Sequence, residues 1–194
     1  MTTTRPPHLS GAVWPIHPKP FEDELLSSWM VRIARAFHIK PSVFWRRLAG
    51  PVRFRSLDHN PDPEVLRLLA TRTATPAARV VRTTINVFAS LDLLREHPHK
   101  NVIAFCPLCL GGKVAYYRRG WCVKFVLSCV HHGCTLLDTC PGCGALIRFE
   151  QVPLEMESLA MCRTCGFDLR LSPISSAMST HTTALQQRLL RLLS

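Results

Sequence analysis

The sequence predicts a mainly α fold with small β elements of the knuckle and ribbon kind: a helical N-terminal domain followed by two compact modules in tandem. Two observations predict it. Early in the chain Leu25, Trp29, Ile33 and Phe37 recur every four residues, with Leu26 and Met30 beside them, which lays an apolar stripe along one side of a helix. Further on, four pairs of metal-ligand residues each enclose a two-residue gap: Cys106 and Cys109, Cys129 and His132, Cys140 and Cys143, Cys162 and Cys165.

Residues 1–20 are proline-rich and read as an extended arm, and the helical domain is expected over 21–100. Glu22, Asp23 and Glu24 stand where the positive end of a helix favours acids, and Arg32 and Arg35 fall off the apolar stripe. His38 to Lys40 makes a short break. Pro41 then suits the first turn of a second helix running through Ser42–Leu48, which Gly50-Pro51 stops. Asp62 and Thr75 each precede a proline as candidate caps, opening helices over 65–70 and from Ala77 to Arg82. Thr83 to Phe88 reads equally as helix or extended chain.

A helix, a short break and an arginine-bearing helix, twice over, give the domain helix-turn-helix character, a pattern that plain helical bundles share. Arg46, Arg47, Arg53 and Arg55 form the densest basic cluster, with Trp45 and Phe54 interleaved. They are the candidates for phosphate contact; the bland alternative is aromatics in the core and arginines in water.

The four ligand pairs read in order as C-x2-C-x19-C-x2-H and C-x2-C-x18-C-x2-C, two complete four-ligand zinc sites. A two-residue gap lets one tight turn present both ligands to a tetrahedral ion. Pro107 and Pro141-Gly142 supply turn chemistry within two knuckles, and Gly144 and Gly166 follow two of them. The first finger is expected over 101–139 and the second over 140–172, with two structural Zn2+ ions held by closed, thiolate-rich ligand sets. A catalytic zinc would keep an open position and favour His or carboxylate ligands. His131 adjoins His132 and competes with it as ligand. Cys122 and Cys134 are left over and read as small buried hydrophobes. Interleaved ligation, as in a RING cross-brace, is the alternative to pairing in sequence order.

A disulfide framework fits poorly. The nine cysteines are an odd number, and the first twenty residues show no secretory pattern. Lys124 interrupts the longest apolar run, Trp121 to Val130, so no membrane partner is expected. A reducing compartment, the bacterial cytoplasm, is the expected location. The formal charge is +11, divided as +7 over residues 1–100 and +4 over 101–194, so both halves suit a polyanion or an acidic protein surface. Ala115–Trp121 leading into Val123–Ser128 reads as a strand or short hairpin. Residues 173–194 end in an amphipathic helix, Thr183–Leu193, with a core role as its first reading.

The run CPLCLGGKVAYYRRGWCVKFVLSCVHHGCTLLDTCPGCG, Cys106 to Gly144, resembles the zinc region of the TniQ family in its CPxCL opening, YxR-x2-W segment, C-x2-H, following leucine and CPxCG. Upstream, PFEDELLSSWMVRIA is similar to that family's start, with Glu24, Leu25, Ser27, Ser28, Trp29, Arg32 and Ala34 on the pattern. The Cys162–Gly166 knuckle followed by Asp168-Leu169 also fits, so the resemblance spans residues 14 to 170.

It implies a non-enzymatic adaptor in DNA transposition. Such proteins link a target-recognising element, DNA or an RNA-guided CRISPR effector, to an AAA+ ATPase regulator of the TnsC/TniB kind. No Walker A loop and no cluster of catalytic carboxylates argues for an enzyme. Longer family members carry an extended helical region after the second zinc site, and the short form resembles members that sit at the end of an ATPase filament on DNA. Trp29 and Trp121 are expected to be buried, and exposed Arg118 and Arg119 to serve as partner contacts. A DNA-binding zinc-finger transcription regulator is the alternative function, and a RING-like ubiquitin ligase the third.

Overall fold

The computed structural model describes residues 13–51, 56–86, 88, 91–94, 102–176 and 180–192. The chain divides into two compact units, the first ending at Ile85 and the second beginning at Asn86. Arg53 and Arg55 lie outside the described residues.

The described residues of the first unit form five helices: α1 (Leu26–Ala36), α2 (Pro41–Ala49), α3 (Ser56–His59), α4 (Pro63–Arg72) and α5 (Ala77–Val81). Helix α1 packs against α2 and α3, and α4 against α5. The expected stripe on α1 proves to be a fuller enclosure, since every residue from Leu26 to Val31 is buried, Ser27 and Ser28 included. Neighbours cover it on several sides. The start of α1 has no cap of its own. Asp58 of α3 accepts the Ser27 N–H at 2.8 Å, and the Thr83 carbonyl accepts the Leu26 N–H at 2.8 Å. Two amides that no local carbonyl can reach are thus satisfied from across the unit.

Residues 14 to 20, read from the sequence as part of an extended arm, are tied to the helices of the first unit. Trp14 is fully buried, edge-on to Phe37 and Phe44, and its N–H donates to Arg72 O at 2.7 Å. Trp29 Nε1 donates to Pro18 O at 2.6 Å, and Arg79 donates to Pro20 O at 2.6 Å.

Glu24 does not feed the α1 macrodipole as expected. Its buried carboxylate folds back to accept from Phe21 N at 3.1 Å, Ser28 Oγ at 2.9 Å and Arg32 at 2.5 Å. Burial pushes its pKa up to about 7, against the downward pull of Arg32 and those hydrogen bonds.

Helices α1 and α4 end alike. In each, a residue in the left-handed region (His38 at φ 53°, Ala74 at φ 46°) follows the cap, and the next amide reaches back five residues: Ile39 N to Ala34 O and Thr75 N to Ala70 O, both 2.9 Å. These are Schellman closures without glycine. Pro41 begins α2 and Asp62 caps α4 by accepting from Glu64 N at 2.8 Å, as the sequence indicates. Thr75 does not cap α5. Its hydroxyl pairs with Thr73, leaving Pro76 at the cap position.

In the second unit regular structure is sparse. Among the described residues its elements are a short helical turn, α6 (Pro107–Leu110), three 3-10 turns (Arg119–Cys122, Phe149–Gln151, Leu169–Leu171) and a terminal helix, α7 (Thr180–Leu192). Its pairings among the described residues are isolated bridges, such as Phe105 with Leu137 and Ser128 with Thr135. The hairpin expected over 115–128 gives way to the turn at Arg119–Cys122, closed by Trp121 N to Arg118 O and Val123 N to Gly120 O. An aromatic cluster forms the core. Tyr117 is fully buried, stacked on Phe149 at 4.2 Å, edge-on to Trp121 at 5.9 Å, and its hydroxyl donates to Leu159 O at 3.2 Å. Helix α7 is tied down by buried Gln186, whose Oε1 accepts from Leu127 N at 2.7 Å and whose Nε2 donates to Ser128 Oγ at 2.8 Å.

Candidate metal centres

The four ligand pairs fold into two clusters, each within the second unit. Cys106, Cys109, Cys129 and His132 bring one ligand atom each to within 4.8 Å of the others, and Cys140, Cys143, Cys162 and Cys165 do the same. The pairs combine in sequence order, so the cross-brace does not occur and the RING reading loses its geometric basis.

Local chain chemistry shapes the knuckles. Cys106 stands at the N-terminus of α6, its Sγ accepting the Cys109 N–H at 3.4 Å. The other three share one closure. The first ligand's carbonyl accepts from a glycine four residues on, and its N–H donates to the carbonyl one residue beyond, all at 2.8 Å: Cys129 with Gly133 and Cys134, Cys140 with Gly144 and Ala145, Cys162 with Gly166 and Phe167. Each of those glycines has φ between 65° and 73°, a region that L side chains avoid. Gly142 answers a different need, because a Cβ there would stand 3.1 Å from the Phe167 ring.

Spacing within the clusters fits a tetrahedral ion. Zinc bonds of about 2.3 Å to sulfur and about 2.0–2.1 Å to nitrogen set ligand separations of about 3.8 Å for S–S and about 3.5 Å for S–N. In the second cluster Cys140 and Cys165 are 3.7 Å apart and Cys143 and Cys162 3.8 Å. In the first, His132 Nδ1 lies 3.5, 3.3 and 3.5 Å from Cys106, Cys109 and Cys129, and the last two are 3.5 Å apart. His132, not His131, is the histidine of the cluster, and Nδ1 is its inward atom.

Electrostatics points the same way. Hydrogen bonds from Cys109 and Cys129 hold the Cys106 thiol far below its ordinary range, while the same contacts push Cys109 far above. Burial pushes Cys140 up to about 12. Cys162 is also raised by burial, but backbone N–H groups of Cys165 and Thr164 outweigh this and bring it down to about 7. Packed thiols of this kind cannot all ionise together without a cation, and a divalent ion permits it. Each cluster could therefore hold a metal ion.

The leftover cysteines are both buried, and Cys134 Sγ lies 3.4 Å from Cys106 Sγ. Sequence reasoning missed Gly133 and the proximity of Cys134; the repeated glycine four residues after a ligand was the available signal for the first. Trp29 and Trp121 are buried. Arg46 and Arg47 are exposed on the last turn of α2. Arg118 and Arg119 are only half-buried positions, not fully exposed ones. The Arg118 guanidinium is drawn over the Tyr116 ring at 4.7 Å and the Trp121 ring at 5.8 Å by cation–π attraction.

The TniQ family model matches residues 15–136, more than half of the chain, and the chain belongs to the TniQ family. The matched span takes in the helices of the first unit and all four residues of the first cluster. Comparison with curated proteins gives no match. TniQ proteins form a non-catalytic family of transposition accessory proteins, which gives this chain a transposition-associated role. Among the described residues no helix is long and apolar enough to cross a membrane.

Proposed function

We propose that this chain is a zinc-binding, non-enzymatic adaptor of DNA transposition. It links target-site recognition, on DNA or through an RNA-guided CRISPR effector, to the AAA+ ATPase regulator of the transposase in the bacterial cytoplasm. The observation that carries this reading is the TniQ match across the helical unit and the first ligand cluster.

Zinc is the ion that suits these donors, held by Cys106, Cys109, Cys129 and His132 in finger 101–139 and by Cys140, Cys143, Cys162 and Cys165 in finger 140–172. Bound there, it supplies a closed crosslink of four chain positions and no reaction chemistry. The chain's own part is to present surfaces. The helical unit, read as helix-turn-helix-like, offers Arg46 and Arg47 side by side, with Arg53 and Arg55 following in sequence, as phosphate contacts. Arg118 and Arg119 are the partner contacts proposed for the zinc region.

Co-purification of the full chain with its cognate AAA+ ATPase, in the presence of nucleotide and DNA, is the test. Stable association supports the adaptor, and its absence demotes it. The net charge of +11 keeps a transcription regulator as the second reading. An adaptor using phosphate contacts binds DNA weakly, salt-sensitively and with little sequence preference, and Arg46→Glu/Arg47→Glu weakens it. Strong discrimination between unrelated duplexes supports the regulator instead.

A further inference from the structure

A fifth thiol lies against the four donors of the first centre. His132 and Cys134 flank Gly133, and both bring a donor atom to Cys106 Sγ: His132 Nδ1 at 3.5 Å and Cys134 Sγ at 3.4 Å. Gly133, at φ 65°, turns the chain so that neighbours on either side of it face one sulfur. Cys134 is 3% exposed, and the Cys129 N–H donates to its carbonyl at 2.8 Å, which fixes it beside another ligand of the same centre. The equivalent positions after the third and fourth knuckles carry Ala145 and Phe167, neither of which can ligate a metal. Neither leftover thiol is one of the four clustered donors, but Cys134 Sγ touches the cluster at Cys106.

The two centres differ in another respect. In the first, the three cysteine ligands are buried and His132 is the exposed member. The ligand most open to solvent is therefore the one followed two residues on by a buried thiol that touches a fellow ligand.

We propose that Cys134 is a fifth, reserve thiolate of the first centre, able to take the coordination position of His132. The exchange breaks the bond from Nδ1 to the ion and makes one from the Cys134 Sγ, and the thiol proton passes to the freed imidazole. The ligand set changes from three thiolates and an imidazole to four thiolates, which adds one negative charge and favours soft divalent ions. The centre then keeps its ion while the Cys129–His132 turn rearranges, leaving His132 free at the surface. This inference rests on the proposal that the first cluster binds zinc.

The test uses the full-length chain and counts zinc by native mass spectrometry, then replaces zinc with Co2+ and records the thiolate-to-cobalt absorption, which grows with each thiolate ligand. The natural chain and Cys134→Ser should each hold two ions. His132→Ala should also hold two, with stronger thiolate-to-cobalt absorption per chain than the natural protein. His132→Ala/Cys134→Ser should lose one ion. His132→Gln, which keeps more side-chain bulk, is read alongside in case the alanine variant folds poorly, with Trp121 near-ultraviolet dichroism reporting folding of the second unit.

The inference is overturned if the single His132 variants hold one ion. It is equally overturned if single and double variants both hold two with the same spectrum, since water would then be filling the vacant position. A natural chain that holds fewer than two ions removes the zinc reading itself and takes this inference with it.

Discussion

The two units of this protein solve the same problem with different materials. The first buries Trp14, Trp29, Phe44 and Leu69 completely and satisfies its principal helix with amide partners drawn from distant positions. Its ingredients are those of an ordinary small helical domain, and both candidate metal clusters found among the described residues lie in the second unit. Among its described residues the second unit has one helix of more than a turn or so and isolated bridges where strands were expected. Its backbone turns at four knuckles, and Tyr117, Trp121 and Phe149 pack together in its core. Apolar burial is extensive in both units, with Ile103, Phe105 and Leu169 among the buried side chains of the second, so the contrast lies in what fixes the backbone: helices in the first unit, ligand-pair turns in the second.

Metal removal should break the comparison open most widely. A structural zinc ion contributes on the order of 10–16 kcal/mol of apparent binding free energy, as much as the whole stability of a typical domain, about 5–15 kcal/mol. Treatment with a strong chelator should therefore abolish amide hydrogen-exchange protection across 102–176 while α1 and α4 keep theirs. Loss of protection in both units together would mean that the first depends on the second.

Next in size is the aromatic joint. Tyr117 belongs to the loop of the first cluster, and Phe149 and Leu159 to that of the second, so one side chain couples the two fingers. Tyr117→Ala should cost about 3–5 kcal/mol by analogy with other large aromatic truncations, loosening ions from both centres and leaving the first unit unmoved. Tyr117→Phe keeps the rings and should cost only about 1 kcal/mol for the hydroxyl bond to Leu159 O. Denaturant unfolding with zinc release followed in parallel would separate the two; an ion lost from one finger alone would show that the joint does not couple them.

The first unit carries a pH signature of its own. Glu24 has its pKa raised from 4.5 to about 7 by burial, so the folded chain keeps a proton that the unfolded chain releases within that window. Its contribution is full below pH 4.5 and falls as pH rises through 7, by at most about 1.4 kcal/mol per pH unit. Thermal melts of the first unit between pH 5 and 8 should show this decline, and Glu24→Gln should flatten it. An unchanged slope in the variant would assign the decline to other groups.

Smallest of all is the backbone effect at Ala74, held at φ 46°. Ala74→Gly should relieve strain and raise the melting temperature of the first unit by the equivalent of up to about 1 kcal/mol. A lower melting temperature would show that the added chain entropy outweighs the strain.

Much of this was legible in the sequence, and the reason is range. The ligand pairs are local: a gap of two residues and, in three of the four, a glycine directly after the second ligand describe a knuckle almost completely, so the residues of both clusters could be named from spacing. Pro41 and Asp62 likewise act within a turn of where they stand. What was not legible acts across the chain. Asp58 reaches Ser27 over 31 residues, and in the sequence it is merely an acid in a loop. Gln186 reads as the polar side of an amphipathic helix, yet it is the buried residue that pins α7 to Leu127 and Ser128. The segment from Ala115 to Ser128 has the composition of strands, but the knuckles on either side and the turn at Gly120 leave it no partner of sufficient length. The reach of Cys134 to Cys106, 28 residues away, had no local signal at all.

If two four-ligand metal centres hold the second unit together, weighing the intact chain will reveal both ions. Native mass spectrometry of the purified protein should show two zinc ions per chain, and Cys140→Ser should show one. A natural chain that is well folded with one ion or none would contradict the account, whatever the first unit and its family membership continue to say.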